Sequence, residues 1–377
     1  MVAETVLDSQ PFLDTVRLEV QQLPRYNAGL SIDYVRSKYG VSEIAKLGSN
    51  ENPYGPSPQV REAVVQAAAE MFLYPEASCD PLRVVLSKRL GVAPQHLIFG
   101  NGSEDLIAIA AHTFLSPGCR VVTFAPSFGL HVIWPQSVGA HVHTVPVDEH
   151  YAMDREQILA ALTPDTRMLI FGNPSNPVGT SITAADLIGI LAHLDPQTLL
   201  VFDEAYLEYA SKDPDYPDFL ALLHKARTPW LLLRTFSKAY GLAGLRIGYA
   251  VASDTALIDL MDRIRAPFNV NRLAQAAVIA ALDDMPYMDD VVAKTNAERV
   301  RLASEFTHLG YRFAPSLANF LFIQAREDGA ELAERLLTRG VIVKPWREPG
   351  YQDHIRVSIG TSAANDQMLA AWKALAR

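Results

Sequence analysis

Between about residues 95 and 252, short runs of apolar, mostly branched residues alternate with segments of helical character. This rhythm constrains the fold more than any other feature of the chain. The apolar runs cover residues 96–99, 120–124, 141–147, 167–171, 199–202, 230–234 and 247–251, and most are separated by helical patterns such as 104–114, 154–162 and 184–194. Strands that are apolar on both faces need helices on both faces, which is the signature of a mostly parallel sheet. The expected architecture is α/β, a doubly wound open sheet of about seven strands. The gap before Ile247 is short and glycine-rich, so the last strand is expected to run antiparallel.

Beyond this region the pattern changes. Helices are expected at 273–282, 288–309, 330–339 and 363–375, and strands at 320–323, 341–343 and 355–359, a mixture that suits a smaller α+β unit. A chain of 377 residues is long enough for two cores. The turn-rich passage Pro53-Tyr54-Gly55-Pro56-Ser57-Pro58 marks a boundary. The expected division is an arm and part of the small domain in residues 1–52, a large domain in 53–275 and a small C-terminal domain in 276–377, with the two ends of the chain meeting in the smaller unit.

Several function classes are disfavoured. The net charge is −9 with no dense basic block, which argues against a nucleic-acid partner. No apolar run reaches the roughly eighteen residues of a membrane span. The N-terminal segment carries Glu4, Asp8, Asp14 and Glu19 and reads as neither a signal nor a transit peptide. Cys79 and Cys119 have no metal-like spacing, so no metal site is expected, and they fit a reducing cytoplasm.

Five segments carry candidate chemistry. In Thr235-Phe236-Ser237-Lys238, followed by Arg246, an apolar strand runs into a lysine flanked by hydroxyls. Ligands bind at the carboxyl ends of strands in open sheets, and a lysine that loses water there becomes an amine nucleophile. Thr235, Ser237 and Arg246 suit a phosphate; the plainer reading is a surface lysine in a glycine-rich loop. Asp203 closes another apolar strand, where a carboxylate pairs with a cation or a protonated ring nitrogen, or simply caps a helix. Tyr206 follows within reach of a phenolate-like oxygen. In Asn173-Pro174-Ser175-Asn176-Pro177, two Asn-Pro steps make a rigid turn, which either aims the Asn176 amide at a ligand or is purely structural. Gly100-Asn101-Gly102-Ser103 joins a strand to a helix and offers backbone amides to an anion, without the three-glycine dinucleotide fingerprint. Arg356 sits on an otherwise apolar strand, so it faces either a salt-bridge partner or a ligand carboxylate.

Together these segments resemble the fold-type I pyridoxal-phosphate aminotransferases, and among them most closely the histidinol-phosphate aminotransferases. The resemblance extends from Ser49-Asn50-Glu51-Asn52-Pro53-Tyr54-Gly55-Pro56 through Asn269-Val270-Asn271 to the Arg356 segment. It implies pyridoxal 5'-phosphate as cofactor, with Lys238 as the Schiff-base lysine and Asp203 keeping the pyridine nitrogen protonated. Tyr206 and Asn176 would bond the ring hydroxyl oxygen. Gly102 and Ser103, with Ser237 and Arg246, would cradle the phosphate, and Phe128 would stack on the ring. Tyr74 would reach the partner active site of a homodimer. Arg356, Tyr26, Asn176 and Lys344 would bind substrate, a small-molecule amino donor or 2-oxo acid.

Lys344 stands where that subfamily usually carries arginine, Leu73 departs likewise, and Arg272 replaces a small residue. The resemblance therefore implies transfer from L-histidinol phosphate to 2-oxoglutarate, with an aromatic amino-acid aminotransferase or a decarboxylase of a phosphorylated amino acid as alternatives. A non-catalytic cofactor-binding regulator is a further class, and no helix-turn-helix appendage accompanies it.

Overall fold

The computed structural model describes residues 10–375; Glu4 and Asp8 of the N-terminal reading lie outside them. Seven strands form the larger sheet: β1 (Leu97–Gly100), β2 (Arg120–Ala125), β3 (His141–Pro146), β4 (Thr166–Gly172), β5 (Leu199–Asp203), β6 (Trp230–Thr235) and β7 (Gly248–Ala252). Their order is β1-β7-β6-β5-β4-β2-β3. β7 runs antiparallel to both β6 and β1, and the other neighbours are parallel. The antiparallel turn follows from the link between β6 and β7, which holds only a short 3-10 helix, Ala243–Leu245, and no crossover helix.

Successive residues of the central strands enter opposite helix layers. Leu169, Leu200 and Leu232 join one core, while Ile170, Val201 and Leu231 join the other. Each such fully buried side chain contributes about 1.5–3 kcal/mol. β3 differs from the expected two-faced burial. It is the edge strand, and His141, His143 and Thr144 are exposed on it. It ends at Pro146, a residue that edge positions tolerate.

Helices Pro58–Ala68, Asp80–Leu90, Leu130–Ser137 and Thr255–Asp262 are additions to the expected set. The first begins inside the passage read as a turn. Ser57 accepts a hydrogen bond from the Val60 amide and Pro58 takes the first helical position, so the same Ser-Pro pair starts a helix.

A second, antiparallel sheet contains β8 (Phe320–Gln324), β9 (Lys344–Pro345) and β10 (His354–Ser358) in the order β9-β10-β8. Its core includes Leu321, Ile323, Val357, Phe306 and Trp372. The single strand expected at 341–343 is split. Val341–Ile342 pairs in parallel with Ala45–Lys46, and only then does Lys344–Pro345 join β10. Early and late parts of the chain thus meet in one ladder, with the Ala45 amide 2.8 Å from the Gly340 carbonyl. The helix Met285–His308 packs Met288 and Val292 against Tyr206 and Phe320, and Leu302 and Phe306 into the second core. Among the described residues no helix is long and apolar enough to cross a membrane.

Candidate active site

The carboxyl ends of β4, β5 and β6 open on a cavity of about 520 Å³, and the segments that follow them line it with Asn176, Tyr206 and Lys238. Twelve of the thirteen expected site residues line this cavity: Tyr26, Gly102, Ser103, Phe128, Asn176, Asp203, Tyr206, Ser237, Lys238, Arg246, Lys344 and Arg356. Tyr74 does not. It is 78% exposed and stacks on Phe268 at a ring distance of 4.7 Å.

β6 is buried along its whole length and delivers Lys238 three residues past its end. Burial lowers the Lys238 amine to about 8; Arg356 and Arg246 add to the effect, and Glu51 and Asp203 oppose it. Lys238 Nζ lies 5.8 Å from the centre of the Tyr206 ring. The reading as a free surface lysine is therefore wrong.

Asp203 ends the neighbouring strand β5 and is buried. Its Oδ2 lies 3.2 Å from His131 Nε2, and its Oδ1 accepts from the Ala205 amide at 3.1 Å. In the short helix after it, Leu207–Ala210, Tyr206 and not Asp203 holds the N-cap position, and its side chain makes no capping bond. Just behind the site, Arg234 on β6 donates through Nε and Nη2 to Glu204 Oε2 at 2.9 and 2.7 Å, with both residues buried. This pair ties the ends of β5 and β6 together and fixes the spacing of the two segments.

The Tyr206 hydroxyl accepts from Asn50 Nδ2 at 3.0 Å and from Asn176 Nδ2 at 3.2 Å. Burial pushes the phenol up to about 12, against the opposing influence of Arg356 and of the Asn50 hydrogen bond. β10 carries Arg356 to the same place. Its Nη1 donates to Asn176 Oδ1 and its Nη2 to the Gly48 carbonyl, both at 2.7 Å, so amide and carbonyl oxygens hold it in place of a carboxylate. Its Nε is buried and has no partner among the described residues.

Gly102, which also lines the cavity, has φ of +87° and precedes the helix Ser103–Phe114. A Cβ on Gly102 would lie 2.6 Å from Arg246 Nη2, so only glycine lets the guanidinium approach this helix start. Arg246 also pairs with Glu104 at 2.9 Å, which takes up part of its charge. Thr235 Oγ1 donates to Ser237 Oγ at 3.0 Å beside it. Phe128 packs edge-on to His131 and Tyr26. Lys344 Nζ donates to the Asn27 carbonyl at 2.5 Å; burial lowers its amine to about 8, and Arg356 and Arg347 contribute.

Reasoning from the sequence missed Asn50, His131 and Glu348. Asn50 belongs to the quoted Ser49-Asn50-Glu51-Asn52 segment, where it carried no role. His131 comes three residues after Phe128. Glu348 accepts from Trp346 Nε1 at 2.6 Å and from the Ser127 amide at 3.1 Å, and it joins the loop after β9 to the loop after β2. Among the described residues no group of histidine, cysteine and carboxylate side chains is placed to hold a metal ion.

The pattern that defines the family "Aminotransferase class I and II" matches residues 42–371. The histidinol-phosphate aminotransferase 3 of Rhizobium meliloti (strain 1021) is 46% identical over 358 residues, covering 95% of this chain and 96% of the relative. The histidinol-phosphate aminotransferase 1 of Mesorhizobium japonicum is also 46% identical, over 363 residues, with 96% and 98% covered. Among solved structures, the histidinol-phosphate aminotransferase of Sinorhizobium meliloti in complex with pyridoxal-5'-phosphate superposes with a TM-score of 0.87 at 29% identity, covering 96% of this chain and 98% of that one. With strand-end residues gathered in one cavity and likeness to these relatives over almost the whole length, the chain belongs to the class I and II aminotransferases.

Proposed function

We propose that this chain is a pyridoxal 5'-phosphate-dependent transaminase that converts L-histidinol phosphate and 2-oxoglutarate to imidazole acetol phosphate and L-glutamate. The observation that carries the reading is the placement in one cavity of a half-buried lysine, its amine lowered to about 8, just past the end of β6, and a buried aspartate at the end of the adjacent strand β5.

The residues present fit the cofactor. Gly102 leaves the helix start open to an anion, and Arg356 keeps a buried donor that has no partner among the described residues. Lys238 would anchor the cofactor, Asp203 would face its ring nitrogen, and Tyr206 and Asn176 would meet its ring oxygen. Gly102, Ser103, Ser237 and Arg246 would hold its phosphate, and Phe128 would cover its ring. When bound, it supplies an exchangeable aldehyde and a ring that withdraws electrons from the substrate α-carbon. Lys238 then serves as the base that carries the α-proton, which its lowered amine suits near neutral pH. His131 holds the Asp203 carboxylate in place. Arg356 fixes the substrate anion and so orients the C–H bond that breaks.

Lys344, Arg347 and Arg356 stand close enough on the cavity wall for the two arginines to act on the Lys344 amine, and Arg25 lines the same cavity. These cations support a phosphorylated substrate over an aromatic amino acid, and the names of the relatives agree. A homodimer and a cytoplasmic location belong to the same proposal. Support for the dimer comes from Tyr74, exposed and outside its own cavity, which would reach the cavity of a second copy. We also take residues 53–275 as the large unit, 276–377 as the small C-terminal unit, and 1–52 as an arm together with part of the small unit.

The test is a panel of amino donors with 2-oxoglutarate as acceptor. Turnover of L-histidinol phosphate well above that of phenylalanine is expected. Rapid turnover of phenylalanine beside negligible turnover of histidinol phosphate would refute the substrate, and release of carbon dioxide would refute the reaction.

A further inference from the structure

A phenol oxygen accepts two hydrogen bonds and donates one. At Tyr206 both acceptor positions are taken, by Asn176 Nδ2 at 3.2 Å and by Asn50 Nδ2 at 3.0 Å. Which end of each amide faces the phenol is decided elsewhere. Arg356 has no acceptor atom, so Asn176 must turn its oxygen toward Nη1. Ser358 accepts the backbone N–H of Asn50 at 2.8 Å and gives its own proton to Asn50 Oδ1 at 2.7 Å. Ser358 is 2% exposed, and among the described residues its hydroxyl has no other acceptor. Turning the Asn50 amide over would leave that buried proton unpaired, which folded interiors avoid. Asn50 is itself held firmly: it is 1% exposed, its φ of 55° suits asparagine, and its carbonyl accepts from Asn319 Nδ2 at 3.0 Å.

We propose that Asn50, locked by Ser358, is a positioning residue that compels the Tyr206 hydroxyl to donate into the cavity. With both lone pairs occupied, the phenol proton has no acceptor among the described residues and is left for an anionic oxygen on the bound ring. The elevated phenol pKa keeps that proton in place. The inference rests on the reading that the cavity takes pyridoxal 5'-phosphate and adds to it the residue that sets the polarity of the tyrosine contact.

The experiment compares wild type with Asn50→Asp and Ser358→Ala. Aspartate keeps the size of asparagine and tolerates the left-handed backbone, but it accepts the phenol proton and draws it away from the cavity. Ser358→Ala frees the amide to turn over and adds no charge. Three quantities are read: the dissociation constant for pyridoxal 5'-phosphate titrated into the apoprotein, the pH midpoint of the visible absorbance of the loaded protein, and the melting temperature of the apoprotein. For Asn50→Asp, affinity is expected to fall about tenfold, as for loss of one hydrogen bond to a charged group. The absorbance midpoint is expected to rise, because a donor on the ring oxygen eases proton loss from the Lys238 nitrogen joined to the ring. Ser358→Ala moves both quantities the same way by less. In a Tyr206→Phe background the Asn50→Asp effect on both disappears. The proposal is overturned if both variants keep the wild-type affinity and midpoint while melting lower, or if Asn50→Asp acts equally with and without the Tyr206 hydroxyl. A wild-type protein that takes up no cofactor removes the reading of the cavity and this proposal with it. Normal uptake that is lost in Lys238→Ala, beside unshifted Asn50 and Ser358 variants, removes this proposal alone.

Discussion

In the apoprotein, Lys238 is expected to titrate near 8, where an ordinary lysine titrates near 10.5. Burial is the largest cause, and the positive charge of Arg356 is the next. At pH 7 roughly a tenth of the Lys238 side chains would be free amine, against roughly 0.03% for an unshifted lysine, an advantage of about 300-fold in reactive nucleophile. Competitive labelling with an amine-selective reagent, read by mass spectrometry on the Lys238 peptide, measures this directly. The labelling rate should climb about tenfold per pH unit up to about 8 and then level off. Arg356→Met removes a neighbouring positive charge, so the protonated amine is disfavoured less and the midpoint moves up. A rate that keeps climbing past pH 10 in wild type, or a midpoint that Arg356→Met leaves in place, would refute the argument that burial and Arg356 together prepare this amine.

Other perturbations reach different parts of the site. Arg356→Lys exchanges a fork for a point charge and leaves Asn176 Oδ1 or the Gly48 carbonyl without its donor; steady-state kinetics are expected to show kcat/KM lower by about 30-fold, equivalent to ~2 kcal/mol. Lys344→Ala is expected to raise KM for a phosphorylated amino donor and to leave glutamate nearly unaffected, as a paired substrate comparison would reveal. Glu204→Ala strands the buried Arg234 guanidinium, and denaturant unfolding is expected to record a loss of about 3–5 kcal/mol. Gly102→Ala places a methyl group against Arg246 in a left-handed conformation, so cofactor affinity measured by titration is expected to fall while kcat at saturation changes little.

What could be read from the sequence was local. Lys238, Asp203 and Asn176 announce themselves because each follows an apolar run that has to be a buried strand, and a polar side chain at that point has a cavity or water as its neighbour. The antiparallel direction of β7 was legible for a similar reason, since the link before it is short and glycine-rich. Asn50 and His131 were not, because each owes its place to contacts made only after folding. Asn50 bonds to Ser358, 308 positions away, and His131 to Asp203, 72 positions away. The split of 341–343 was hidden likewise: Val341 and Ile342 find their partner in Ala45 and Lys46, and no pattern within the run itself reveals that pairing. The helix at Pro58 was missed because Ser-Pro serves equally as a turn and as a helix start.

The ladder between Ala45–Lys46 and Val341–Ile342 also sets an order of events during synthesis. All seven strands of the large sheet have been made by Ala252, so that layer can assemble on the ribosome. The early segment must wait, unpaired, while nearly three hundred further residues are added before its partner emerges. Asn50 lies just beyond the early strand of that ladder, and Arg356 is made after the late one, so the pocket is finished only when the waiting segment is captured. A nascent chain halted between these points would own a complete sheet and half a catalyst.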